Sequence, residues 1–278
     1  MYKVKSFSGS FIKYASLFIG VAAAIIPILV VFFSSFKTTE EYRTTNILTA
    51  PESWLNFENY RRAFTEGNML VGFFNTIFIL LVAIVFSILI GTMIAYILSR
   101  FQFKFSKVMI GLFLFAVLIP GITTQVATFQ VISSLGLFNT RWAAILLFTG
   151  TDIIGIYIFL QFLDSSSLSL DESAMIDGAS YFTIYRKIIL PLLKPAMATV
   201  FIIRGVAIYN DFYIPFLYMP AERLQVVSTS LYRFMGPFGA QWEVISAGII
   251  IVIVPTLVLF IFLQKYIYNG FTQGAMKG

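Results

Sequence analysis

Residues 171–191 read DESAMIDGASYFTIYRKIILP, and this polar stretch between long apolar runs decides how the rest of the chain is interpreted. Ser169 precedes Glu172 by three residues, which is the capping-box spacing and predicts that Ser169 caps a short helix. Gly178 is predicted to end that helix, because glycine adopts the left-handed conformation that helix ends often need. Small residues around the glycine let another backbone approach closely, which indicates a docking element.

A second, amphipathic helix is predicted from about Ser180 onward. Its apolar side chains recur at i, i+3, i+4 and i+7, at Tyr181, Ile184, Tyr185 and Ile188. Pro191 and Pro195 are predicted to limit this helix, because proline lacks the N–H that a helix interior requires. Composition alone leaves open whether the two helices dock a partner or are only an interfacial element at the inner membrane face.

The composition excludes several classes of protein. The chain has 278 residues, of which 59% are hydrophobic and 12% charged, with a mean hydropathy of +0.88. Soluble domains have about 45–50% apolar and about 25% charged residues, so an ordinary soluble domain is excluded. The net charge of +6 comes from basic residues that flank apolar runs, which argues against a nucleic-acid partner. The sequence contains no His and no Cys, so zinc sites with nitrogen or sulfur ligands and His-dependent triads are excluded, and we expect no catalytic or metal site.

Six apolar stretches reach about 20 residues, the length that crosses a bilayer as a helix. They cover residues 14–36, 69–99, 108 onward, 142–163, 196–219 and 244–264. Pro120 and Gly121 are predicted to break the third span, and Asp152 to interrupt the fourth. The first span is longer than the apolar core of a signal peptide and is interpreted as an uncleaved helix. The predicted fold is an all-α integral membrane protein with six transmembrane helices.

The basic residues of the short loops predict the orientation, because cytoplasmic loops carry an excess of Lys and Arg. Residues 100–107 are strongly basic, whereas Arg141 is the only basic residue near the connection of spans three and four. Both termini and residues 171–191 are therefore predicted to be cytoplasmic, and the pair of helices lies between spans four and five.

Residues 38–68 are then predicted to be external. Within them, residues 59–64 read NYRRAF and predict a short amphipathic helix, with Tyr60 and Phe64 on one face. Two interpretations stay open for this segment: a cap at the membrane surface, or a landing surface for an external binding protein.

Charged residues inside predicted spans are costly in hydrocarbon and should face protein or water. At about 1.5 Å per residue, Asp152 lies roughly 15 Å below the outer surface and Arg204 roughly 12 Å above the inner one. Because these depths nearly coincide in a core of about 30 Å, we predict an ion pair between the fourth and fifth helices. The pair is either structural or part of the solute path. Tyr209, Asn210 and Asp211 are the candidate residues of that path.

A longer pattern runs through residues 171–191 as E-x-A-x(3)-G-x(9)-I-x-L-P. It is formed by Glu172, Ala174, Gly178, Ile188, Leu190 and Pro191. The pattern resembles the coupling loop of permease subunits of binding-protein-dependent ABC importers, and Ser173 departs from it because the family usually has Ala there. The resemblance assigns ATPase docking to Glu172, Ser173, Ala174, Asp177, Gly178 and Ala179.

The resemblance extends over most of the chain. From Asn75 onward the sequence looks like an ABC transmembrane type-1 domain. Residues 135–140 (LGLFNT), 209–215 (YNDFYIP) and 270–278 (GFTQGAMKG) resemble the carbohydrate, maltose-type subgroup. The implied domains are an N-terminal tail, first helix and external loop over 1–68, a type-1 domain over 69–264, and a cytoplasmic tail over 265–278. We call residues 164–195 the coupling loop.

The resemblance also implies an assembly in a prokaryotic cell membrane. Its other members are a second, distinct permease subunit, two ATPase subunits that bind ATP and magnesium, and an extracytoplasmic binding protein for a carbohydrate. No cofactor is expected on this chain itself. The tail residues Gly274, Lys277 and Gly278 are expected to reach an ATPase subunit.

Alternatives differ in their energy source or solute. No G-x-x-x-x-G-K-[ST] phosphate loop occurs in the sequence, so the chain is not expected to hydrolyse ATP itself. A secondary transporter would transport in proteoliposomes without any ATPase. A permease for an amino acid or a phosphate ester stays open, whereas an integral membrane enzyme is disfavoured by the missing His and Cys.

Overall fold

The computed structural model describes residues 2–101, 103–150, 152–237 and 239–275, and its regular structure is almost entirely helical. In chain order the helices are α1 Tyr2–Phe36, α2 Thr39–Thr44, α3 Glu58–Glu66, α4 Met69–Arg100, α5 Ser106–Leu118, α6 Gln125–Ser134, α7 Arg141–Thr149, α8 Ile153–Asp164, α9 Ser169–Ile176, α10 Tyr181–Ile184, α11 Leu190–Leu192, α12 Lys194–Asn210, α13 Tyr213–Tyr218, α14 Val227–Ser230 and α15 Trp242–Ala275. Short 3-10 turns lie at Gly121–Thr124, Glu222–Leu224 and Leu231–Phe234, and a π-helical turn lies at Tyr185–Ile189.

The all-α prediction needs one correction. Strand β1, Met235–Gly236, pairs antiparallel with strand β2, Gly239–Ala240. Gly236 and Pro237 favour a tight turn at this point, which explains why so short a hairpin forms.

Several helices are suited to a membrane by length and composition. Three stretches qualify: Gly9–Phe36, Met69–Arg100 and Arg141–Asp164, the last of which comprises α7 and α8. Two bent pairs also qualify, Ser106–Leu118 with Gly121–Ser134 at 91° and Tyr181–Leu192 with Lys194–Asn210 at 69°. The described apolar part of the last helix, Trp242–Val258, is shorter. Within the described residues, three to five stretches are therefore long and apolar enough to cross a membrane, each of them overlaps a predicted span, and the count of six stays a prediction.

The predicted break in the third span is confirmed and has a local cause. Helix α5 ends at Leu118, and the next residue, Ile119, has extended backbone angles of φ −80° and ψ 114°. A residue before proline is driven out of the helical region by the proline ring, so Pro120 sets this conformation. The chain then resumes as a 3-10 turn and helix α6.

The predicted fifth span, 196–219, is not one helix. Helix α12 ends at Asn210, because Asp211 is extended at φ −69° and ψ 121°. The Asp211 carboxylate accepts the N–H of Ile214 at 2.8 Å and so supports the start of α13. A short acidic side chain offers the backbone an alternative to helical bonding, which is why the helix stops here.

One compact unit comprises Met1–Leu70 and Ser230–Leu257. Its segment after α1 is folded, and Lys37 is 1% exposed. The Lys37 ammonium donates to Thr45 Oγ1 at 2.9 Å and to the Asn46 carbonyl at 2.8 Å, while Asn59 donates to the Lys37 carbonyl at 2.7 Å. Helix α3 contains the predicted helix 59–64, so that prediction is confirmed.

The second unit comprises Val71–Thr229 and Val258–Gly278 and contains two hydrophobic clusters. The first joins α4, α7 and the region of α13 through buried residues that include Ile84, Phe148 and Tyr218. The second joins α4 and α8 to the coupling loop through residues that include Phe159 and Ile189. Burial of apolar area contributes about 25 cal/mol per Å², so this second cluster holds the coupling loop against the ends of α4 and α8.

Candidate functional site

The first helix of the coupling loop does not use the predicted cap. Helix α9 begins at Ser169, which is therefore its first residue and not its cap. The N–H and hydroxyl of Ser169 contact Ser167 Oγ at 3.2 and 2.7 Å. The N–H groups of Asp171 and Glu172 donate to the Leu168 carbonyl at 3.0 and 3.1 Å. The capping-box prediction is wrong because Ser167 supplies an earlier acceptor and the helix starts one residue sooner.

The predicted helix end at Gly178 is confirmed. Its φ is +80°, in the left-handed region. The N–H of Gly178 donates to the Met175 carbonyl at 3.0 Å, and that of Ala179 to the Ala174 carbonyl at 2.9 Å, which together form a Schellman motif. A Cβ at this position would meet nothing within 4 Å, so glycine is favoured for its backbone conformation, by about 1–2 kcal/mol over other residues.

The second helix of the coupling loop starts where expected and then changes register. Ser180 caps α10 by accepting a backbone N–H at 3.3 Å. The π-helical turn Tyr185–Ile189 follows, ahead of Pro191. A π turn inserts one residue into the helical register, so Ile189 is fully buried in place of the predicted Ile188.

A buried ion pair fixes α9 to the end of α4. Arg100 Nε lies 2.7 Å from Asp171 Oδ2, and the two side chains are 7% and 5% exposed. The same guanidinium donates to the Leu163 carbonyl at 3.3 Å and to Ser166 Oγ at 2.6 Å. One cation therefore joins α4, the end of α8 and the coupling loop.

Sequence reasoning missed this pair. Arg100 served there only as an indicator of membrane orientation, and no motif relates it to Asp171, which is distant in the sequence. The available signal was weak: an acidic residue stands directly before Glu172, outside the docking pattern.

The residues assigned to ATPase docking divide into an outward and an inward group. The exposed members are Glu172, Ser173, Asp177 and Gly178, and the half-buried members are Ala174 and Ala179. Ile176, which the sequence did not single out, is 86% exposed. Glu172 and Ile176 are four residues apart and lie on the same side of α9. The coupling loop thus presents a carboxylate beside a large apolar side chain.

Only part of the predicted C-terminal contact lies within the described residues. Gly274 belongs to helix α15. Lys277 and Gly278 lie outside the described residues. The ATPase contact of all three residues stays a prediction.

Asp152 and Arg204, the predicted intramembrane pair, lie together. Arg204 Nε is 3.6 Å from Asp152 Oδ1, and the side chains are 19% and 7% exposed. Asp152 caps α8, with Oδ1 accepting the Gly155 N–H and Oδ2 accepting the Ser87 hydroxyl, both at 3.0 Å. Arg204 also donates to the Phe148 carbonyl. The Asp152 carboxylate therefore joins α4, α8 and α12. A Cβ at position 155 would overlap this carboxylate, so Gly155 is needed for its close approach.

The candidate solute-path residues lie at the end of α12, and the Asp211 carbonyl accepts the hydroxyl of Ser228 at 2.7 Å. Tyr209 is half-buried, and the exposed Asn210 donates to the Val206 carbonyl at 2.9 Å. Asp211 supports the start of α13. A cavity of about 430 Å³ lies close to these residues. From this part of the chain, its lining includes Tyr213, Ile214 and Tyr218 but none of the three candidate residues.

Among the described residues, no three acidic side chains are placed to hold a metal ion. The polar chemistry of the site consists of two buried ion pairs and an exposed loop. Such groups support mechanical coupling between helices.

Comparison with known proteins gives the family context. Residues 83–273 match the family model described as "binding-protein-dependent transport system inner membrane component". The chain is 31% identical over 257 residues to an arabinooligosaccharides transport system permease protein, AraQ, of Halalkalibacterium halodurans, and the match covers 92% of each chain. It is 31% identical over 281 residues to the galactooligosaccharides transport system permease protein GanQ of Bacillus subtilis, covering 99% of this chain and 98% of that protein.

Solved structures show the same fold. A bacterial ABC transporter involved in the import of the acidic polysaccharide alginate aligns with a TM-score of 0.80 and 22% identity, over 92% of this chain and 95% of that one. A structure of an alginate ABC transporter in complex with a pentasaccharide-bound periplasmic protein aligns with a TM-score of 0.64 and 20% identity, over 93% of this chain and 94% of that one. At these identities the likeness concerns the fold.

Proposed function

This chain belongs to the family of inner membrane components of binding-protein-dependent transport systems, and from that membership we propose that it is a permease subunit of an ATP-driven carbohydrate importer. The observation that carries the solute class is the set of relatives. AraQ and GanQ match over nearly the whole chain, and both are named for transport of oligosaccharides. MelC of Bacillus subtilis, a melibiose, raffinose and stachyose import permease, is 29% identical over 92% of the chain. Family membership argues against the secondary-transporter alternative.

The proposed assembly places ATP on partner subunits. The sequence has no phosphate loop, so nucleotide and magnesium bind to two ATPase subunits and none bind to this chain. A second, distinct permease completes the solute pathway, and an extracytoplasmic binding protein delivers the sugar. The complex resides in a prokaryotic cell membrane, and the chain crosses it six times with both termini inside.

The coupling loop is proposed to receive the ATPase on the cytoplasmic side. Its exposed side chains, Glu172 and Ile176, supply a charge and an apolar contact. Its inward side is fixed by the Arg100–Asp171 pair and by the second hydrophobic cluster. A displacement of α9 therefore moves α4 and α8 with it, because packed interiors transmit strain and do not absorb it. The tail residues Gly274, Lys277 and Gly278 form a second proposed contact.

The proposal is tested by reversing the charge at the docking surface. We propose that Glu172 pairs with a basic group of the ATPase. We therefore expect Glu172→Lys to lower sugar uptake about tenfold or more, since like charges brought together at an interface cost several kcal/mol. Uptake of labelled raffinose, maltotriose, arabinotriose and galactobiose is measured in cells, together with co-purification of the ATPase. Glu40→Lys makes the same change at an exposed residue of α2 and should leave ATPase association unchanged. Wild-type uptake by Glu172→Lys, with the ATPase still bound, would contradict the proposal.

A further inference from the structure

Two interrupted helical segments line one cavity in the second unit. The first interruption lies between α5 and α6, where the chain bends by 91°. The second lies between α12 and α13, at Asp211. The cavity of about 430 Å³ is lined from the first by Thr124, Gln125 and Thr128 and from the second by Tyr213 and Tyr218. Its volume falls within the range of small-molecule sites, about 300–1,000 Å³.

In a membrane, the interrupted backbone beside this cavity has to be covered by protein or by water. Non-helical backbone at membrane depth is tolerated only where it is buried in protein or lines a water-filled space. The turn Gly121–Thr124 is exposed in this chain and lines the cavity through Gly121, Ile122 and Thr124, so its backbone is accessible from the cavity. The Thr124 hydroxyl donates to the Gly121 carbonyl at 3.0 Å, which leaves its oxygen as an acceptor.

The lining combines neutral hydrogen-bonding side chains with the apolar side chains of Ile122, Leu147 and Ile214. Gln125 Nε2 donates to Tyr218 Oη at 2.9 Å, which orients the Gln125 amide and the phenol. Gln125 Oε1 has no further partner within the described part of the chain, whereas Tyr218 is 1% exposed and packs in the first hydrophobic cluster. None of the described residues that line the cavity is Asp, Glu, Lys or Arg. Such a lining suits a neutral, hydroxyl-rich solute better than an ion.

The lining also includes an aromatic ring, that of Tyr213. Tyr213 borders the cavity and its side chain is 47% exposed. Its ring presents a flat apolar face and a polar tip, which suits the C–H face and the hydroxyl rim of a sugar ring. Asp211 places this tyrosine through its bond to the Ile214 N–H, so the acid positions the site without lining it.

We propose that this cavity is a contact site for a neutral sugar ring within this subunit. Tyr213 stacks on the ring, Gln125 accepts a hydrogen bond from a sugar hydroxyl, and Thr128 contributes a further oxygen. The proposal rests on the proposed function. It places the solute contact at Tyr213, about one helical turn beyond the predicted Tyr209 and Asn210.

The first test is the concentration dependence of uptake. The four labelled sugars named above are offered to cells with the wild-type complex, and an imported one is used for the variants. We expect Tyr213→Ala and Gln125→Ala to raise the half-saturating concentration or lower the maximal rate about fivefold to tenfold, with Tyr213→Phe near wild type. Phe216→Ala removes an aromatic residue from the same helix that does not line the cavity and is the matched control.

The second test uses the absence of cysteine from the sequence. Thr128→Cys is exposed to a charged maleimide in open membrane fragments, and labelling is read on this chain alone. We expect labelling, because the reaction needs water, and protection when the binding protein and the imported sugar are added. Val126→Cys, on the same helix but outside the lining, provides the background.

The outcomes separate the site from the proposed function. Sugar import with wild-type kinetics in Tyr213→Ala, or a Thr128→Cys that stays at the Val126→Cys background, overturns the site and leaves the function standing. Failure of the wild-type complex to import any of the four sugars counts against the carbohydrate function and overturns the site with it.

Discussion

Replacing Asp171 with alanine is expected to abolish uptake while the chain still inserts into the membrane. The change leaves the Arg100 guanidinium buried without its carboxylate, and breaking a buried ion pair in this way costs about 3–5 kcal/mol. The ion pair is lost at the place where α4, α8 and α9 are joined. A displacement of the coupling loop by the ATPase would therefore no longer be transmitted to α4 and α8. Uptake of the imported sugar and the thermal midpoint of the purified complex are the measurements.

Two further variants sharpen this prediction. Arg100→Leu combined with Asp171→Leu removes both charges, and we expect much of the thermal stability to return, because no unpaired charge is left. Asp164→Ala removes an exposed acid at the end of α8 and should change the midpoint little. If Asp171→Ala keeps both wild-type uptake and a wild-type midpoint, the pair does not anchor the coupling loop.

Replacing Asp152 with alanine is expected to destabilise the second unit by a similar amount, about 3–5 kcal/mol. The change removes the carboxylate that pairs with Arg204, accepts from Ser87 and caps α8 at Gly155. Among the described residues, Arg204 would keep only the Phe148 carbonyl as a partner. We expect a lower yield of assembled complex and a lower thermal midpoint, measured by tryptophan fluorescence in detergent.

The variant Asp152→Asn distinguishes the capping of α8 by this side chain from the effect of its negative charge. Asp152→Asn keeps an oxygen that accepts the Gly155 N–H and loses the charge, so its midpoint should fall between those of wild type and Asp152→Ala. An Asp152→Ala complex with the wild-type midpoint and yield would show that this pair contributes nothing to the fold.

Features set by local chemistry were predictable from the sequence. The break at Pro120 follows from steric exclusion of the helical region before proline. The helix end at Gly178 follows from the left-handed conformation that glycine accepts. Asp152 and Arg204 were matched by depth along two predicted spans, and the structure brings them to 3.6 Å.

Features that depend on distant or competing partners were not predictable. Ser169 lost its predicted capping role because Ser167, two residues away, offered an equivalent acceptor. The π turn before Pro191 shifts the buried face by one residue, and no side-chain pattern announces it. Asp211 is an acid in an apolar stretch, and the sequence does not distinguish a helix-ending acid from one that lines a solute path. The Arg100–Asp171 pair required the tertiary fold.

The central claim is that the coupling loop faces the cytoplasm and holds the ATPase, and cross-linking tests it most directly. Because the chain has no cysteine, Ile176→Cys introduces a single thiol at a residue that is 86% exposed. Membranes containing the complex are treated with a short cysteine-to-lysine cross-linker, and the products are separated by mass. We expect a product that joins this chain to the ATPase subunit. A thiol at residue 176 that forms no ATPase product, and that reacts instead with an impermeant reagent added outside intact cells, would contradict it.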